Sequence, residues 1–283
     1  MKKYYLYTFI ISWVIMIAAS LMASKLDRSI LQLILMGVML MPTLGVILSG
    51  HSLKDIAFRP VFKGKIKYWL MAWFLPMVIT VLGALIYFGL FPDRFDLSGA
   101  VMEVSAGTGI LKQMAAQRIT YPMYILICIV QSLTIAPLLN LIPSLGEEIG
   151  WRGLMTPYLT DRYGRTRGLL IAGTVWGIWH WPLIALMGYE YGTAYFGAPL
   201  SGMLLFCIVT VALGILLAYV CEKTSSVIAP ALMHGSFNAW GTIPVAVIAP
   251  QYASDMLLGP SPNGLLAGIP LFVIAVIVLR KWR

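Results

Sequence analysis

Residues 200–221 have the sequence LSGMLLFCIVTVALGILLAYVC, in which 22 consecutive positions carry no charged side chain. About 20 apolar residues in a helix cross the hydrocarbon core of a bilayer. Of all 283 residues, 60% are apolar and 11% are charged, and the mean hydropathy is +0.86. An ordinary soluble domain is roughly half apolar and about a quarter charged. The composition therefore indicates an integral membrane protein, and it excludes a soluble enzyme, a nucleic-acid-binding domain and a disordered chain.

Eight stretches are apolar enough to be membrane spans, which predicts an all-α polytopic helical bundle. They are Tyr4–Ala23, Ile30–Leu48, Tyr68–Phe91, Tyr121–Leu141, Gly168–Met187, Leu200–Cys221, Val227–Ile248 and Leu265–Leu279. We expect residues 1–283 to form one membrane domain in three parts. Residues 1–120 hold three spans and an outer loop, residues 121–250 hold the functional core, and residues 251–283 hold the last span and a basic tail.

The lysine and arginine residues predict the orientation of the bundle. With eight spans and the N-terminus inside, 15 of the 20 basic residues fall in cytoplasmic segments, namely 2–3, 54–67, 152–167, 223 and 280–283. This bias follows the positive-inside rule and puts both termini in the cytoplasm. The formal charge of +9 then reflects topology and contact with anionic lipid headgroups, not nucleic acid. We expect a multi-pass protein of the cell membrane.

Two adjacent carboxylates follow the fourth span, in the segment EEIGWR at residues 147–152. Ionisable groups at membrane depth are costly and are usually functional. Glu148 and Arg152 are four residues apart with the acid first, which is the better arrangement for a helical ion pair. Glu147 then lacks a local counter-charge and suits the role of a general base. The alternative is a helix start, with Ser144 as the N-cap and Glu147 closing a capping box.

Two histidines lie inside apolar spans and share a helix face with another functional group four residues away. Trp176 precedes His180, and His234 precedes Asn238. Either histidine alone would be explained by an interhelical hydrogen bond, but two of them with an amide and a carboxylate pair exceed what packing requires. Span four ends on the cytoplasmic side, and spans five and seven begin there. We therefore expect the motifs to converge in a pocket that opens toward the cytoplasm.

The motifs EExxxR, aromatic-xxxH and HxxxN, in this order in successive spans, resemble the CPBP family of intramembrane proteases. This family includes the CAAX proteases and bacteriocin-processing enzymes, and it is also called the abortive-infection domain family. The resemblance covers about residues 121–248 and implies hydrolysis of a peptide bond within the membrane. It implies that Glu147, assisted by His180, activates a water molecule. It also implies that His234 and Asn238 hold the oxyanion.

In the same resemblance, Glu148 and Arg152 form a supporting ion pair. Trp176 stands where the CAAX-processing members commonly have phenylalanine, and this departure bears on the shape of the pocket. Ser236 is two residues from His234 and is expected to project from another side of the helix. No serine or cysteine is therefore a candidate nucleophile beside the histidines, and covalent catalysis is disfavoured.

A zinc-dependent version of the same protease stays open. Glu147, His180 and His234 would make a zinc ligand set with water in the fourth position, and Glu148 would then be the base. Against zinc, the sequence lacks HExxH, and Asn238 suits an oxyanion hole better than a metal shell. We favour the mechanism without a cofactor.

Two functions of other classes compete with the protease. One is a non-enzymatic immunity or scaffold protein, and the other is a proton-coupled transporter. Transporters commonly contain inverted repeats with broken helices, and the sequence has no such repeat. The expected partners are the bilayer and a peptide or membrane-protein substrate, without nucleic acid. The sequence predicts neither the identity of the substrate nor the oligomeric state.

Overall fold

The computed structural model describes residues 1–282, apart from the side chain of Ala106. Within this range the chain is all-α, as predicted, and two isolated β-bridges are the sole extended pairing. The helices are α1 Lys2–Met22, α2 Arg28–Val38, α3 Met41–Leu48, α4 Ile66–Leu90, α5 Ala100–Ala106, α6 Ile110–Ala116, α7 Tyr121–Leu133, α8 Ala136–Gly150, α9 Thr156–Tyr163, α10 Arg165–Trp179, α11 Trp181–Met187, α12 Leu200–Thr224, α13 Ile228–Ala246 and α14 Ile269–Lys281.

Five helical segments in the described chain are long and apolar enough to cross a membrane. They are Lys2–Met22, Arg28–Leu48, Ile66–Leu90, Arg165–Met187 and Leu200–Thr224. A sixth is obtained if α7 and the helix that continues from α8 form one bent span. Helices α13 and α14 coincide with the last two predicted spans but do not meet the same criteria. The polytopic helical bundle is thus confirmed, and the count of eight spans stays a prediction.

The fourth predicted span is bent between α7 and α8. A helix start at Ser144, the alternative that the sequence offers, would instead put the break at about residue 143. Helices α7 and α8 meet at an angle of 57° at residues 134–135. Pro143 lies inside α8, and Ser144 is buried with an unpartnered hydroxyl. The alternative explanation of Glu147 as part of a capping box is therefore wrong, because the helix does not begin at Ser144. One π-helical turn, Trp151–Met155, continues the helix beyond the two glutamates, and such turns occur often at functional sites.

Helix α13 is the centre of the bundle and packs against α8, α4 and α12, while α10 packs against α12. Glycines permit the closest of these approaches. A Cβ atom at Gly173 would lie 2.4 Å from the Cα of Val211, and one at Gly177 would lie 2.7 Å from the Cα of Cys207. The small-xxx-small pair of α10 thus brings its backbone against α12. This contact sets the distance between the helices around the site.

The connecting segments gather at two ends of the bundle. At the basic end, defined by segments 49–65, 151–167 and 222–227, Lys65 donates to the Ser225 hydroxyl at 3.0 Å and the Val227 amide donates to the Ala57 carbonyl at 2.8 Å. At the loop end, defined by segments 91–120, 188–199 and 247–268, the Ala249 amide donates to the Arg94 carbonyl at 2.8 Å. This grouping agrees with the alternation of inner and outer segments that the basic residues predict.

Candidate active site

Glu147 is held by two indole groups. Its Oε2 accepts a hydrogen bond from Trp176 Nε1 at 2.7 Å and another from Trp151 Nε1 at 3.0 Å. The side chain is 1% exposed and takes part in none of the ion pairs of residues 1–282. Because both donors are neutral, they orient the carboxylate without pairing it with a cation. Glu147 is therefore disposed to accept a proton through its other oxygen.

Glu148 has different neighbours, although it is the next residue. Its Oε1 lies 2.9 Å from Arg152 Nη1 and 2.9 Å from His234 Nδ1. The guanidinium of Arg152 also stacks over the Trp176 ring, 4.2 Å from its centroid. The spacing of four residues predicted the contact with Arg152 but gave no sign of the contact with His234. Glu148 therefore orients the imidazole of His234 through Nδ1, and it does so without lining the cavity itself.

His180 lies at the junction of α10 and α11. Its Nδ1 is 3.0 Å from the Trp176 carbonyl oxygen, and this oxygen can only accept a hydrogen bond. Nδ1 therefore carries the proton, and Nε2 presents a lone pair. The ring lies edge-on to Phe206, with 4.8 Å between the ring centroids. The contacts leave His180 with one fixed tautomer and one ring nitrogen free to act as an acceptor.

One cavity of about 450 Å³ unites the groups that the sequence singled out. Glu147, His180, His234 and Asn238 all line it, and so does Trp176. The Asn238 amide makes no side-chain hydrogen bond within the described part of the chain, and it is partly exposed. Glu148 and Arg152 do not line the cavity but support its wall. The arrangement offers a proton acceptor and nearby donor groups around a space that accommodates a peptide bond.

Ser236 faces away from the cavity, as the sequence predicts. Its hydroxyl donates to the Trp73 carbonyl on α4 at 2.6 Å. The cysteines Cys128, Cys207 and Cys221 are free thiols and do not line the cavity. Within residues 1–282, the cavity thus has one serine, Ser261, in its lining. Ser261 lies in the segment before α14, beside Gly241 of α13.

Several residues of the site were not predicted from the sequence. They are Trp151, which donates to Glu147, and Asn140, Glu190, Ser261 and Asn263, which line the cavity. Trp151 follows Glu147 by four residues, so the helical spacing could have indicated this contact. Glu190 lies in an outer segment without lysine or arginine, which could have marked it as an unbalanced charge. The approach of Ser261 and Asn263 depends on tertiary packing and has no local sequence pattern.

Glu190 belongs to the loop between α11 and α12, outside the helices. Its Oε2 accepts a hydrogen bond from Asn263 Nδ2 at 2.5 Å. Burial raises the pKa of Glu190 above its usual range, and the hydrogen bonds from Asn263 and Tyr189 partly offset this effect. No lysine or arginine of the described chain forms an ion pair with it. Glu190 therefore places in the cavity wall a carboxyl group that has no cationic partner within the described chain.

The side chains do not fit the zinc site of the alternative mechanism. A zinc ion requires ligands within about 2.0–2.3 Å. Among residues 1–282, no three histidine, cysteine, aspartate or glutamate side chains are placed to share a metal ion. We therefore derive no step through zinc.

The cavity extends toward the loop end, where Tyr189, Glu190, Ser261 and Asn263 line it. If the basic end is cytoplasmic, as the basic residues predict, this part of the cavity lies toward the opposite side of the membrane. The lining therefore does not favour the predicted opening toward the cytoplasm, which stays a prediction. A second cavity of about 690 Å³ lies at the basic end and is lined by Arg152 and Arg165.

The segment that contains these site residues is similar to known proteins. Residues 129–240 match the family model described as type II CAAX prenyl endopeptidase Rce1-like. This match makes residues 129–240 similar to CAAX proteases. A CAAX prenyl protease 2 of Methanococcus maripaludis is 30% identical to the chain over 93 residues. This alignment covers 32% of the chain, and the chain spans about a third, 34%, of the length of that relative.

The matched segment contains α8 to α12 and most of α13, and thus every motif residue from Glu147 to Asn238. The resemblance to the CAAX protease family predicted from the three motifs is confirmed. The apolar helices and the match to this family model indicate an integral multi-pass membrane protein. The choice of membrane and the bacteriocin-processing and abortive-infection associations stay predictions.

Proposed function

We propose that this protein is an intramembrane endopeptidase that hydrolyses a peptide bond of a peptide or membrane-protein substrate. The observation that carries the proposal is the shared cavity of Glu147, His180, His234 and Asn238. Four costly polar groups from three helices meet there, and the segment that bears them matches a family of endopeptidases. Only part of the chain is covered by that match, so the substrate is proposed no further than its class.

In the first step of the proposed reaction, Glu147 takes a proton from a water molecule, and the water oxygen attacks the carbonyl carbon of the substrate. The free Nε2 of His180 accepts a second hydrogen bond from this water and orients it. Holding the water near the carbonyl converts an encounter into an intramolecular reaction. Glu147 then passes its proton to the leaving amide nitrogen, and the bond between carbon and nitrogen breaks.

His234 and Asn238 stabilise the oxyanion in this scheme. The Asn238 amide supplies one N–H donor, and His234 supplies another if Nε2 carries a proton. The contact of 2.9 Å between His234 Nδ1 and Glu148 Oε1 orients the ring, so that Nε2 is the atom proposed to face the oxyanion. Donors fixed in advance at a developing charge are usually a large part of catalysis.

The experiment is cleavage of an internally quenched peptide pool by the purified protein in proteoliposomes, with mass spectrometry of the products. We expect the wild type to cut internal peptide bonds and His180→Ala to lose at least about 100-fold in kcat/KM. His51→Ala is the matched control, because His51 lies at the basic end and its Nδ1 contacts the Ser49 hydroxyl at 2.8 Å. Full cleavage by His180→Ala would contradict the assignment.

The same proteoliposomes test the two competing functions. A proton-coupled transporter would move protons in response to a peptide gradient, and a pH-sensitive dye inside the vesicles measures this movement. A scaffold protein would show neither cleavage nor proton movement. We expect cleavage without proton movement. Proton movement that depends on Glu147 while peptides stay intact would replace the protease with the transporter.

A further inference from the structure

The cavity continues well beyond the proposed catalytic groups. Its lining follows α13 from His234 through Asn238 and Gly241 to Val245. Eleven residues of helix rise about 16 Å. An extended peptide advances about 3.3 Å per residue, so this length corresponds to about five residues of substrate. The cavity therefore has room for side chains on one side of the bond that is cut.

A polar group from the two loops lies partway along this path. Ser261 Oγ lies 3.7 Å from the position that a Cβ at Gly241 would take. The same oxygen accepts a hydrogen bond from the backbone N–H of Asn263 at 3.4 Å. Asn263 in turn donates to Glu190. Gly241 follows His234 by seven residues, which is about 10 Å of helix. Asn238 is closer to Gly241, at about 4–5 Å of helix. The Glu190–Asn263 pair thus lies roughly one to three extended residues from the proposed oxyanion hole.

This pair has bonding capacity that the protein does not use. Asn263 is 8% exposed, lines the cavity, and its Oδ1 has no hydrogen-bond partner within the described chain. Glu190 has a left-handed backbone with φ of 68°, which is uncommon for a residue with a side chain. The segments 188–199 and 249–268 contain no lysine or arginine. Asn263, with an unpartnered oxygen, and Glu190, with no cationic partner in the described chain, therefore line the same cavity.

We propose that Glu190 and Asn263 form a subsite that binds a cationic group of the substrate roughly one to three residues from the bond that is cut. The cation is the side chain of a lysine or arginine, or a free amino terminus, because each provides a positive charge and several N–H donors. Glu190 supplies the charge, and Asn263 Oδ1 accepts a hydrogen bond. The inference rests on the proposed endopeptidase function and specifies which substrates the site prefers.

The test compares quenched ten-residue peptides of leucine, alanine and glycine that carry one lysine or one glutamine at the same position. The position is moved along the peptide, and each peptide is made with an acetylated and with a free amino terminus. We expect the wild type to prefer lysine over glutamine at least about tenfold in kcat/KM at one position, and Glu190→Gln to reduce this ratio to about one. Asp255→Asn is the control, because Asp255 lies at the loop end but does not line the cavity.

A charge reversal distinguishes loss of the subsite from poor folding of the Glu190→Gln variant. We expect Glu190→Lys to prefer a peptide with aspartate over the lysine peptide at the position found for the wild type. If only free amino termini are preferred, and internal lysine is not, the cation is the terminus. Equal rates for all peptide pairs in the wild type, or a lysine preference that persists in Glu190→Gln, would overturn the subsite.

Binding measured without cleavage separates this proposal from the endopeptidase. The affinity of the same peptides for Glu147→Ala protein is measured by fluorescence anisotropy in detergent. If lysine peptides bind at least about tenfold more tightly, and Glu190→Gln in this background removes the difference, the subsite stands even where the wild type cuts nothing. If the wild type cuts all peptides and the lysine and glutamine peptides bind with equal affinity, the endopeptidase function is supported and the cation subsite is contradicted.

Discussion

Glu147 and Glu148 are adjacent on α8, yet they belong to two differently built regions. Glu147 faces a cavity of about 450 Å³ and receives hydrogen bonds from neutral indoles only. Glu148 lies behind the cavity wall between Arg152 and His234, and Arg152 also lines the 690 Å³ cavity of the basic end. One region leaves a carboxylate able to take a proton, whereas the other neutralises its carboxylate. The comparison supports the proposed roles of Glu147 as the base and of Glu148 as a supporting residue.

The supporting region is expected to respond most strongly in stability. Arg152→Met should lower the free energy of unfolding by roughly 3–5 kcal/mol, because it leaves a buried carboxylate with one partner fewer. Arg165→Met is the matched control. Its ion pair with Glu222 spans 3.1 Å but is 40% and 48% exposed, so its loss should cost at most about 1 kcal/mol. Denaturant titration in detergent measures both, and equal losses would show that burial of the pair is unimportant.

The chemical region is expected to respond in rate. Asn238→Ala should lower kcat by about 10²–10³-fold with little change in thermal stability, because it removes one oxyanion donor. Asn140→Ala is the control from the same cavity, since the Asn140 amide is already bonded to the Ala136 carbonyl at 2.9 Å. Peptide cleavage kinetics measure the effect. A loss of similar size in Asn140→Ala would mean that Asn238 has no special role.

Trp176 connects the two regions, since it donates to Glu147 and stacks on Arg152. Trp176→Phe keeps an aromatic ring but removes the indole donor, so we expect kcat to fall about tenfold as the carboxylate loses one of its two fixed contacts. Trp181→Phe removes an indole that bonds to the Met203 carbonyl, outside the cavity. Its kcat should stay within about twofold. An unaltered kcat in Trp176→Phe would mean that the Trp151 contact alone orients Glu147.

The smallest effect is expected from removal of metal. Because the side chains do not fit a zinc site, we expect incubation with a chelator to change kcat/KM by less than about twofold. Metal content of the purified protein is measured in parallel by mass spectrometry. Stoichiometric zinc together with activity that a chelator abolishes would restore the zinc-dependent alternative and make Glu147, His180 and His234 its ligands.

The helical architecture and the motif residues could be predicted from the sequence because both depend on local spacing. Apolar runs of about 20 residues indicated the spans, and the interval of four residues indicated the contact between Glu148 and Arg152. The contact between Glu148 and His234 joins residues 86 positions apart. No local pattern encodes a contact of this kind, since it is set by how closely α13 packs against α8.

The position of the helix break and the extent of the cavity were also beyond the sequence. Pro143 and Ser144 together favour a helix start, but α8 continues through both because neighbouring helices enclose it. Likewise, Ser261 and Asn263 reach the cavity through a loop whose path is set by its contacts with Tyr191 and Gly192. Local propensity was overruled by tertiary packing in each case.

The role of Glu147 is tested most directly by the kcat of Glu147→Gln in proteoliposomes with a quenched peptide that the wild type cuts. Glutamine keeps the size and the hydrogen-bond acceptor of the side chain but is not a general base, so we expect kcat to fall by about 10²–10⁴-fold. Glu222→Gln, in which an exposed carboxylate on α12 is changed, should keep the wild-type kcat. Glu147→Gln protein that cleaves at the wild-type rate would contradict the role of Glu147 as the base that activates water.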